Sequence, residues 1–355
     1  MDILKQNIGI DVDSKSLKVN FKQSFSDHKI KTKGSRTFKN TVAGFKQLFK
    51  WIEKLNKKQL KIHVTLESTG VYHENLIYYL TDHTAYHIQV IMGSVSNAYF
   101  KTLKSRAKTD KIDAAGLAQF GLERHMKAWT PVSEEMRQIK KLCRERCRLV
   151  KERTMVSNQL HAESASYRPN KKSVTRYNQR IKFISKQVDA IESSLEQLSN
   201  ENEELREKLK KVQTIKGVGF ITAITVIAEL NEFKLFKNRS QVVSYCGYDV
   251  TIKESGTSVK GKTKISKKGN SHVRAVLYFA AMSACRFDAH HKAYYERIRN
   301  KTSISMKGNV AIQRKLLLLI YTLFKNDTVY DETYADKMRA IINKQRKQEF
   351  MAVAL

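Results

Sequence analysis

Apolar residues along the first 130 positions alternate between two spacings. A spacing of two, typical of strands, occurs over residues 7–12, 17–22, 28–33, 60–66 and 87–92. Residues 42–55 and 72–80 carry the three-and-four spacing of amphipathic helices, and helices resume after Ser94. Three successive strands followed by alternating helices and strands is the element order of a ribonuclease-H-like fold. We therefore predict an α/β domain of this kind over residues 1–130.

Beyond Pro131 the apolar residues follow a heptad spacing. The run from Ile181 to Val212 keeps alternating steps of three and four, and upstream leucine and valine residues repeat every seven positions. Asn202 falls on an a position, where a single polar residue commonly fixes the register and number of helices. The pattern predicts a coiled-coil domain over residues 131–212. A helical hairpin within one chain and pairing between chains both satisfy it.

A mainly helical domain is predicted over residues 213–330, and it opens on a glycine turn. Residues 215–219 followed by an apolar run have the form of a helix-hairpin-helix, whose backbone N–H groups hold DNA phosphates; a plain turn between packed helices is the alternative. Residues 251–275 are rich in lysine and glycine. We expect nucleic-acid contacts from Lys216, Gly217, Gly219, Lys260, Lys262, Lys264, Lys267, Lys268 and Arg274.

The overall charge favours the same partner. Lysine and arginine number 66 against 34 acidic residues, a net charge of +32, while the apolar fraction of 41% is ordinary for a globular protein. Such an excess attracts polyanions, of which nucleic acid is the commonest. The sequence has no apolar run near the ~20 residues of a membrane span, no export signal and only four cysteines. We therefore expect a cytoplasmic protein without disulfides or membrane contact.

Four acidic residues stand where carboxylates converge in such a fold. Asp11 ends the first strand and Glu67 ends the fourth, and these two strands are neighbours in a ribonuclease-H-like sheet. Asp110 and Asp113 are three apart and share one face of a helix. Each acid alone is also compatible with a solvated charge or a helix cap. Together they could hold two Mg²⁺ or Mn²⁺ ions, an arrangement that suits phosphodiester chemistry.

Five segments together resemble the insertion-sequence 110 (IS110) family of DEDD transposases, the bridge-RNA-guided recombinases. They are Gly9-Ile10-Asp11, Glu67-Ser68-Thr69-Gly70, residues 108–114 (KTDKIDA), residues 215–219 (IKGVG) and residues 265–270 (ISKKGN). The resemblance implies an N-terminal domain similar to the Holliday-junction resolvase RuvC, with its D-E-D-D acids at Asp11, Glu67, Asp110 and Asp113. It also implies donor and target DNA, a guide RNA and a homo-oligomer, dimer or tetramer, as partners.

The same resemblance implies a C-terminal serine that joins covalently to DNA. We match this nucleophile to Ser255, with Ser258 and Ser266 as neighbouring alternatives. A junction-resolving nuclease, with water in place of the serine, is the alternative enzyme. A nucleotide-binding protein using residues 9–14 as a phosphate loop, and a non-catalytic packaging protein, are the other readings. No role follows for the basic tail, residues 331–355.

Overall fold

The computed structural model describes residues 2–68, 70–103, 109–252, 254–255, 259–261, 263–334 and 337. Lys262 and Ser258, both named above, lie outside these residues. The chain divides into two compact units, Met1–Pro131 and Val132–Leu355. The elements of the first unit are β1 (Ile3–Val12), β2 (Ser16–Phe25), β3 (Ile30–Lys39), α1 (Val42–Leu55), β4 (Ile62–Glu67), α2 (Glu74–His83), β5 (His87–Ile91), α3 (Gly93–Phe100) and α4 (Asp110–Glu123).

The five strands of the first unit form one mixed sheet. Their order is β3-β2-β1-β4-β5. The first three strands are antiparallel neighbours, whereas β1 and β4, and β4 and β5, are parallel. This is the ribonuclease-H-like arrangement, so the predicted fold of this part is confirmed. Strand β3 runs six residues past its predicted end because it is an edge strand with mostly exposed side chains, and its apolar alternation stops before its hydrogen bonding does.

The two faces of the sheet are covered differently. Ile8, Ile10 and Val12 of β1 belong to the main core of this unit, which also contains buried residues of α1 and α2 such as Phe45 and Leu80. Asn7 and Gly9 alternate with them and therefore point to the opposite face. Helix α4 packs against that face, contacting β1, β2 and β4.

The second unit is mainly helical, as predicted. Its elements are α5 (Glu134–Ser164), α6 (Lys171–Glu201), α7 (Glu203–Gln213), α8 (Phe220–Glu229), α9 (Arg239–Tyr245), β6 (Val250–Thr251), β7 (Glu254–Ser255), β8 (Val259–Lys260), β9 (Lys264–Ile265), α10 (Ser271–Phe287), α11 (Ala289–Thr302) and α12 (Ser305–Asn326). One apolar core runs from the base of α5 and α6 through α7, α8 and α10 to α12. No helix in the described part of the chain is long and apolar enough to cross a membrane.

Most of the heptad residues are buried within the chain. Helices α5 and α6 pack antiparallel as a hairpin, with Ile184 and Val188 against Val156 in its outer part and Leu195 in the main core. The prediction that Asn202 occupies an a position inside a continuous helix is wrong. Helix α6 ends at Glu201, and the Asn202 side chain instead caps α7, accepting a hydrogen bond from the backbone of Leu205 at 3.0 Å. The apolar residues keep their spacing of three or four across the break between α6 and α7. For this reason the spacing alone did not reveal that the helix ends at Glu201.

Residues 250–265, here called the arm, contain short antiparallel strands that sequence analysis did not predict. Strand β6 pairs with β9, and β7 pairs with β8, in which Ser255 lies opposite Val259. Each strand has only two residues, too few for an alternating pattern to be recognised.

Candidate active site and nucleic-acid interface

Asp11 and Glu67 stand at the same end of two adjacent parallel strands. Asp11 is the next-to-last residue of β1, and Glu67 is the last residue of β4. The last paired residues of these strands are Ile10 and Leu66. Asp11 and Glu67 are the next residue of each strand, so they lie side by side. The sheet therefore brings these two predicted site residues together, as expected from the strand order.

Close packing of α4 brings the other two acids to this end of the sheet. A Cβ on Gly9 would lie 2.1 Å from the carbonyl oxygen of Ala114 and 2.2 Å from the backbone nitrogen of Ala118, so only glycine allows α4 to lie this close to β1. Asp113 immediately precedes Ala114, and Asp11 follows Gly9 by two residues on the same face of the strand. The helix thus places its first turn beside Asp11.

The first turn of α4 is itself fixed by a cap. The Thr109 hydroxyl accepts a hydrogen bond from the backbone N–H of Ile112 at 3.4 Å. Asp110 and Asp113 are the acidic residues of this turn. Both carboxylates therefore start from the N-terminal turn of the helix that packs against β1.

A buried polar layer lies under α4. The Asn7 amide donates to the carbonyl oxygen of Ala118 at 2.8 Å, and the Thr65 hydroxyl lies 3.2 Å from Asn7 Oδ1 and 2.9 Å from Gln89 Oε1. Sequence analysis missed these residues. The available signal was a polar or glycine residue at every second position of the first strand, which indicates a face that contacts backbone rather than apolar side chains.

Glu67 is held by the start of α3. The hydroxyl of buried Ser96 donates to Glu67 Oε2 at 2.5 Å. Gly93 leaves room for the same carboxylate, because a Cβ there would lie 2.6 Å from Glu67 Oε1. One oxygen of Glu67 is therefore positioned by protein, and Ser96 is a positioning residue that the sequence did not identify.

The electrostatics of Asp11 show that these acids form one group. Burial, followed by the negative charges of Asp110, Asp113, Glu67 and Asp13 in decreasing order, raises the pKa of Asp11 from 3.8 to about 6. Burial and mutual repulsion both disfavour ionised carboxylates unless a cation joins them. The donor set is oxygen only, which is the chemistry that Mg²⁺ and Mn²⁺ prefer. Among the described residues, however, no three acidic, histidine or cysteine side chains are already spaced to ligate one ion.

The turn predicted to bind phosphate has two glycines with different surroundings. Gly217 has a φ of +88°, and a Cβ there would lie 2.5 Å from the backbone nitrogen of Ala284 in α10. Gly219 caps the start of α8, and a Cβ there would meet nothing within 4 Å. Gly217 thus allows close packing of the turn against α10, which was the alternative to phosphate binding. The backbone at Gly219, in contrast, is accessible to a phosphate group.

A short acidic segment lies against this turn. Lys216 forms an ion pair with Glu332 at 2.7 Å, and Lys211 forms one with Asp327 at 2.7 Å. The backbone N–H of Tyr330 donates to the Thr214 hydroxyl at 2.8 Å. We call residues 327–332 the acidic strap, because they neutralise two cations beside the turn.

The basic residues at the end of the arm and just after it divide into exposed and structural ones. Lys264, Lys267 and Lys268 are exposed. Arg274 is partly buried and donates from Nη1 to the carbonyl oxygen of Cys246 at 2.8 Å, so its guanidinium helps to hold the fold. The Ser266 hydroxyl donates to Asp249 Oδ1 at 2.6 Å. Ser255 lies in β7 and Lys260 in β8, and the backbones of these two strands pair with each other.

Comparison with known proteins defines the class. Residues 8–169 match the model of the DEDD_Tnp_IS110 family, described as a transposase, and residues 209–296 match the model described as transposase IS116/IS110/IS902 family. The first match contains all four acids, and the second contains the glycine turn and the arm. The protein is a transposase. The chain belongs to the IS110 family, which confirms the resemblance noted from its motifs.

Similar proteins have related descriptions. Pilin gene-inverting proteins of Moraxella bovis and Moraxella lacunata are each 28% identical over 333 residues, covering 92% of this chain and 98% of theirs. The transposase for insertion sequence element IS1111A of Coxiella burnetii is 24% identical over 210 residues, covering 53% of this chain and 57% of that protein. A crystal structure of the Aquifex aeolicus Ppx/GppA family member aligns over 96% of this chain with 10% identity, but its TM-score of 0.21 supports no conclusion.

Proposed function

We propose that this transposase cuts and rejoins DNA strands with two groups of residues. Asp11, Glu67, Asp110 and Asp113 hold Mg²⁺ or Mn²⁺, and Ser255 is the nucleophile. The observation that carries the proposal is the concentration of carboxylates around half-buried Asp11, where burial first, and then the neighbouring negative charges, raise its pKa to about 6. Such a group is costly to maintain in a fold unless it binds a cation.

The protein side of the reaction is the exchange of one ester for another. The four acids would hold divalent ions, whose positive charge would stabilise the attacking and leaving oxygens. The Ser255 oxygen bonds to the scissile phosphorus and loses its proton, while the bond from phosphorus to one DNA oxygen breaks and that oxygen is protonated. The ester energy is retained, so the cut end can join a new strand without ATP. Exposed Lys264, Lys267 and Lys268 attract the phosphates around the cut.

This chemistry suits both outcomes named among the similar proteins, inversion of a DNA segment and transposition. In each, both broken strands must be rejoined to new partners. Guidance by a non-coding RNA and assembly into a homo-oligomer are the remaining parts of the proposal, and both rest on the family resemblance. The net charge of +32 supports simultaneous binding of more than one nucleic acid.

The test is capture of the protein–DNA bond. Protein purified with its associated RNA is incubated with labelled DNA that matches that RNA, in Mg²⁺, then denatured. We expect label on the protein, at Ser255 by mass spectrometry, and none in EDTA. Label on Ser258 or Ser266 would reassign the nucleophile. Normal cleavage by Ser255→Ala with no adduct on any serine would replace the recombinase with a junction-resolving nuclease.

The acids are tested by a matched pair of variants. Asp11→Asn should lower strand cleavage by about 1000-fold, because metal-ion stabilisation of the reacting oxygens contributes several kcal/mol. Asp13→Asn removes the same charge two residues on, beyond the end of β1, and should keep most of the rate. DNA binding should persist in both variants because it is carried by basic residues. Full activity of Asp11→Asn would contradict the site.

A further inference from the structure

The second unit contains an open cavity of about 920 Å³ beside the arm. Its walls come from β6, β9, α11 and α12. The apolar part of the lining includes Val250, Ile265, Val310 and Leu318, with Tyr248 and Tyr294 at its sides. The volume falls within the range of about 300–1,000 Å³ that is typical of ligand sites.

Large apolar side chains at this cavity face solvent. Val250 is 51% exposed, Ile304 47% and Met306 52%. Exposed apolar residues that cluster around a cavity mark binding sites, whereas single exposed ones are ordinary. The cavity therefore presents an apolar surface that is available to a partner.

The rim of the same cavity is strongly basic. Lys264 and Lys267 stand on the arm side, and Lys307, Arg314 and Lys315 stand on α12. None of the described lining residues is acidic. The neighbouring carboxylate of Asp249 accepts a hydrogen bond from Ser266 and is not part of the lining. A ligand that fits must combine an apolar planar or compact part with negative charge close to it.

We propose that this cavity binds one unpaired DNA base, with its flanking phosphates on the basic rim. The inference rests on the proposed function, which makes DNA the substrate. A base inside a duplex is stacked on both sides and cannot enter, so the bound base must be flipped or unpaired. The lining offers aliphatic and aromatic surface rather than an array of hydrogen-bond donors, so any of the four bases is accepted.

The place of the cavity fits a role during strand exchange. Strands β6 and β9, which form one wall, are also the base of the arm that carries Ser255. Thr251 and Ser255 are four residues apart, a span of at most about 14 Å. The captured base therefore lies within a few nucleotides of the phosphate that Ser255 attacks. Holding it out of the helix keeps the old base pair open while a new partner strand is joined.

A second copy of the chain is a poorer occupant. The five cations at the rim require a dense negative charge on the occupant, and a chain with 66 basic against 34 acidic residues supplies that charge poorly. DNA provides the required charge at every nucleotide.

The test compares two DNA duplexes that differ in one base. Fluorescence anisotropy with full-length protein in EDTA, where no cleavage occurs, measures binding to a fully paired duplex and to one with a single unpaired 2-aminopurine. We expect about tenfold tighter binding of the second, in line with the energy of stacking one base on protein side chains. The 2-aminopurine emission should change on binding as the base leaves its DNA neighbours.

Two variants locate the effect. Ala311→Phe fills the cavity without changing charge, and Val250→Asp places a carboxylate on its exposed wall. Both should bind the two duplexes equally while keeping wild-type affinity for the paired one to within about threefold. Val42→Asp, at a valine of the first unit that is 58% exposed, is the matched control and should keep the preference.

The outcomes separate this inference from the proposed function. Equal binding of both duplexes by wild type, or a preference that survives in both cavity variants, overturns the cavity assignment even if the Ser255 adduct forms. A preference for unpaired RNA over unpaired DNA, lost in Ala311→Phe, also overturns it and makes the cavity an RNA site. Loss of the adduct with an intact preference would contradict only the strand-exchange chemistry.

Discussion

Glu229 is a fully buried carboxylate whose partners come from different elements of the second unit. Arg144 of α5 donates to both of its oxygens, at 2.6 and 2.9 Å, and Asn270, before α10, donates at 2.8 Å. Burial opposes ionisation, but these hydrogen bonds and the charge of Lys140 outweigh it and hold the pKa of Glu229 below its ordinary value of 4.5. The ionised carboxylate therefore joins the base of the hairpin to α8 and α10.

Removing Arg144 should leave that charge buried without its main partner. We expect Arg144→Leu to lower the free energy of unfolding by about 3 kcal/mol in urea titrations at pH 7. Arg146→Leu, on the same helix as Arg144, is the control. Arg146 forms a 2.6 Å pair with the more exposed Glu192 of α6, and its loss should cost less than about 1 kcal/mol. Equal losses in the two variants would contradict a special role for Glu229.

The pH dependence of this effect has a definite sign. A lowered carboxylate pKa stabilises the folded state above the unfolded pKa, and the stabilisation is lost as pH falls through the folded pKa. The difference between wild type and Arg144→Leu should therefore be constant near neutral pH and shrink below about pH 4.5. A difference that grows on acidification would exclude this account.

At the scale of elements, the two glycines of the turn between α7 and α8 are separable. Gly217→Ala forces a Cβ to within 2.5 Å of the α10 backbone at a φ of +88°, whereas Gly219→Ala adds a methyl group to open space. We expect a loss of about 3 kcal/mol or more for the first variant and less than about 1 kcal/mol for the second, measured by thermal unfolding. A Gly217→Ala protein as stable as wild type would show that α10 can move away.

The sequence predicted elements best where burial follows a simple period. Helix α1 has its predicted bounds, Val42–Leu55, because a single apolar face packs on the sheet. Asp11 and Glu67 could be identified from the sequence because each is an acidic residue at the end of an apolar strand. Their supports were not, since Ser96, Asn7 and Gly93 act through contacts between elements distant in the chain. The break at Asn202 was missed because a cap can replace a helical residue without changing the apolar spacing.

At the scale of the whole molecule, charge governs encounter with DNA, and the acidic strap modifies it locally. Asp327 and Glu332 neutralise Lys211 and Lys216 beside the open end of α8. Each phosphate contact that releases a counterion steepens the fall of log affinity with log salt by about 0.9. The strap therefore removes two cations from the set that can contact DNA.

Neutralising the strap should restore those two contacts. The double variant Asp327→Asn with Glu332→Gln should bind DNA more tightly at low salt and steepen the salt slope by up to about 2. Asp189→Asn with Glu196→Gln, two exposed acids of α6, is the control that changes net charge equally. Identical slopes for the two double variants would mean that the strap acts only through overall charge.

The hairpin of α5 and α6 has a mechanical consequence. Each helix has 31 residues, a length of about 46 Å, and only the base of the pair belongs to the main core. Its outer part has a separate small cluster around Val156, Ile184 and Val188. A rod anchored at one end acts as a lever, so a rotation of about 10° at the base carries the far turn through roughly 8 Å. Small adjustments around Glu229 are thereby magnified into displacements comparable to the width of a nucleic-acid groove.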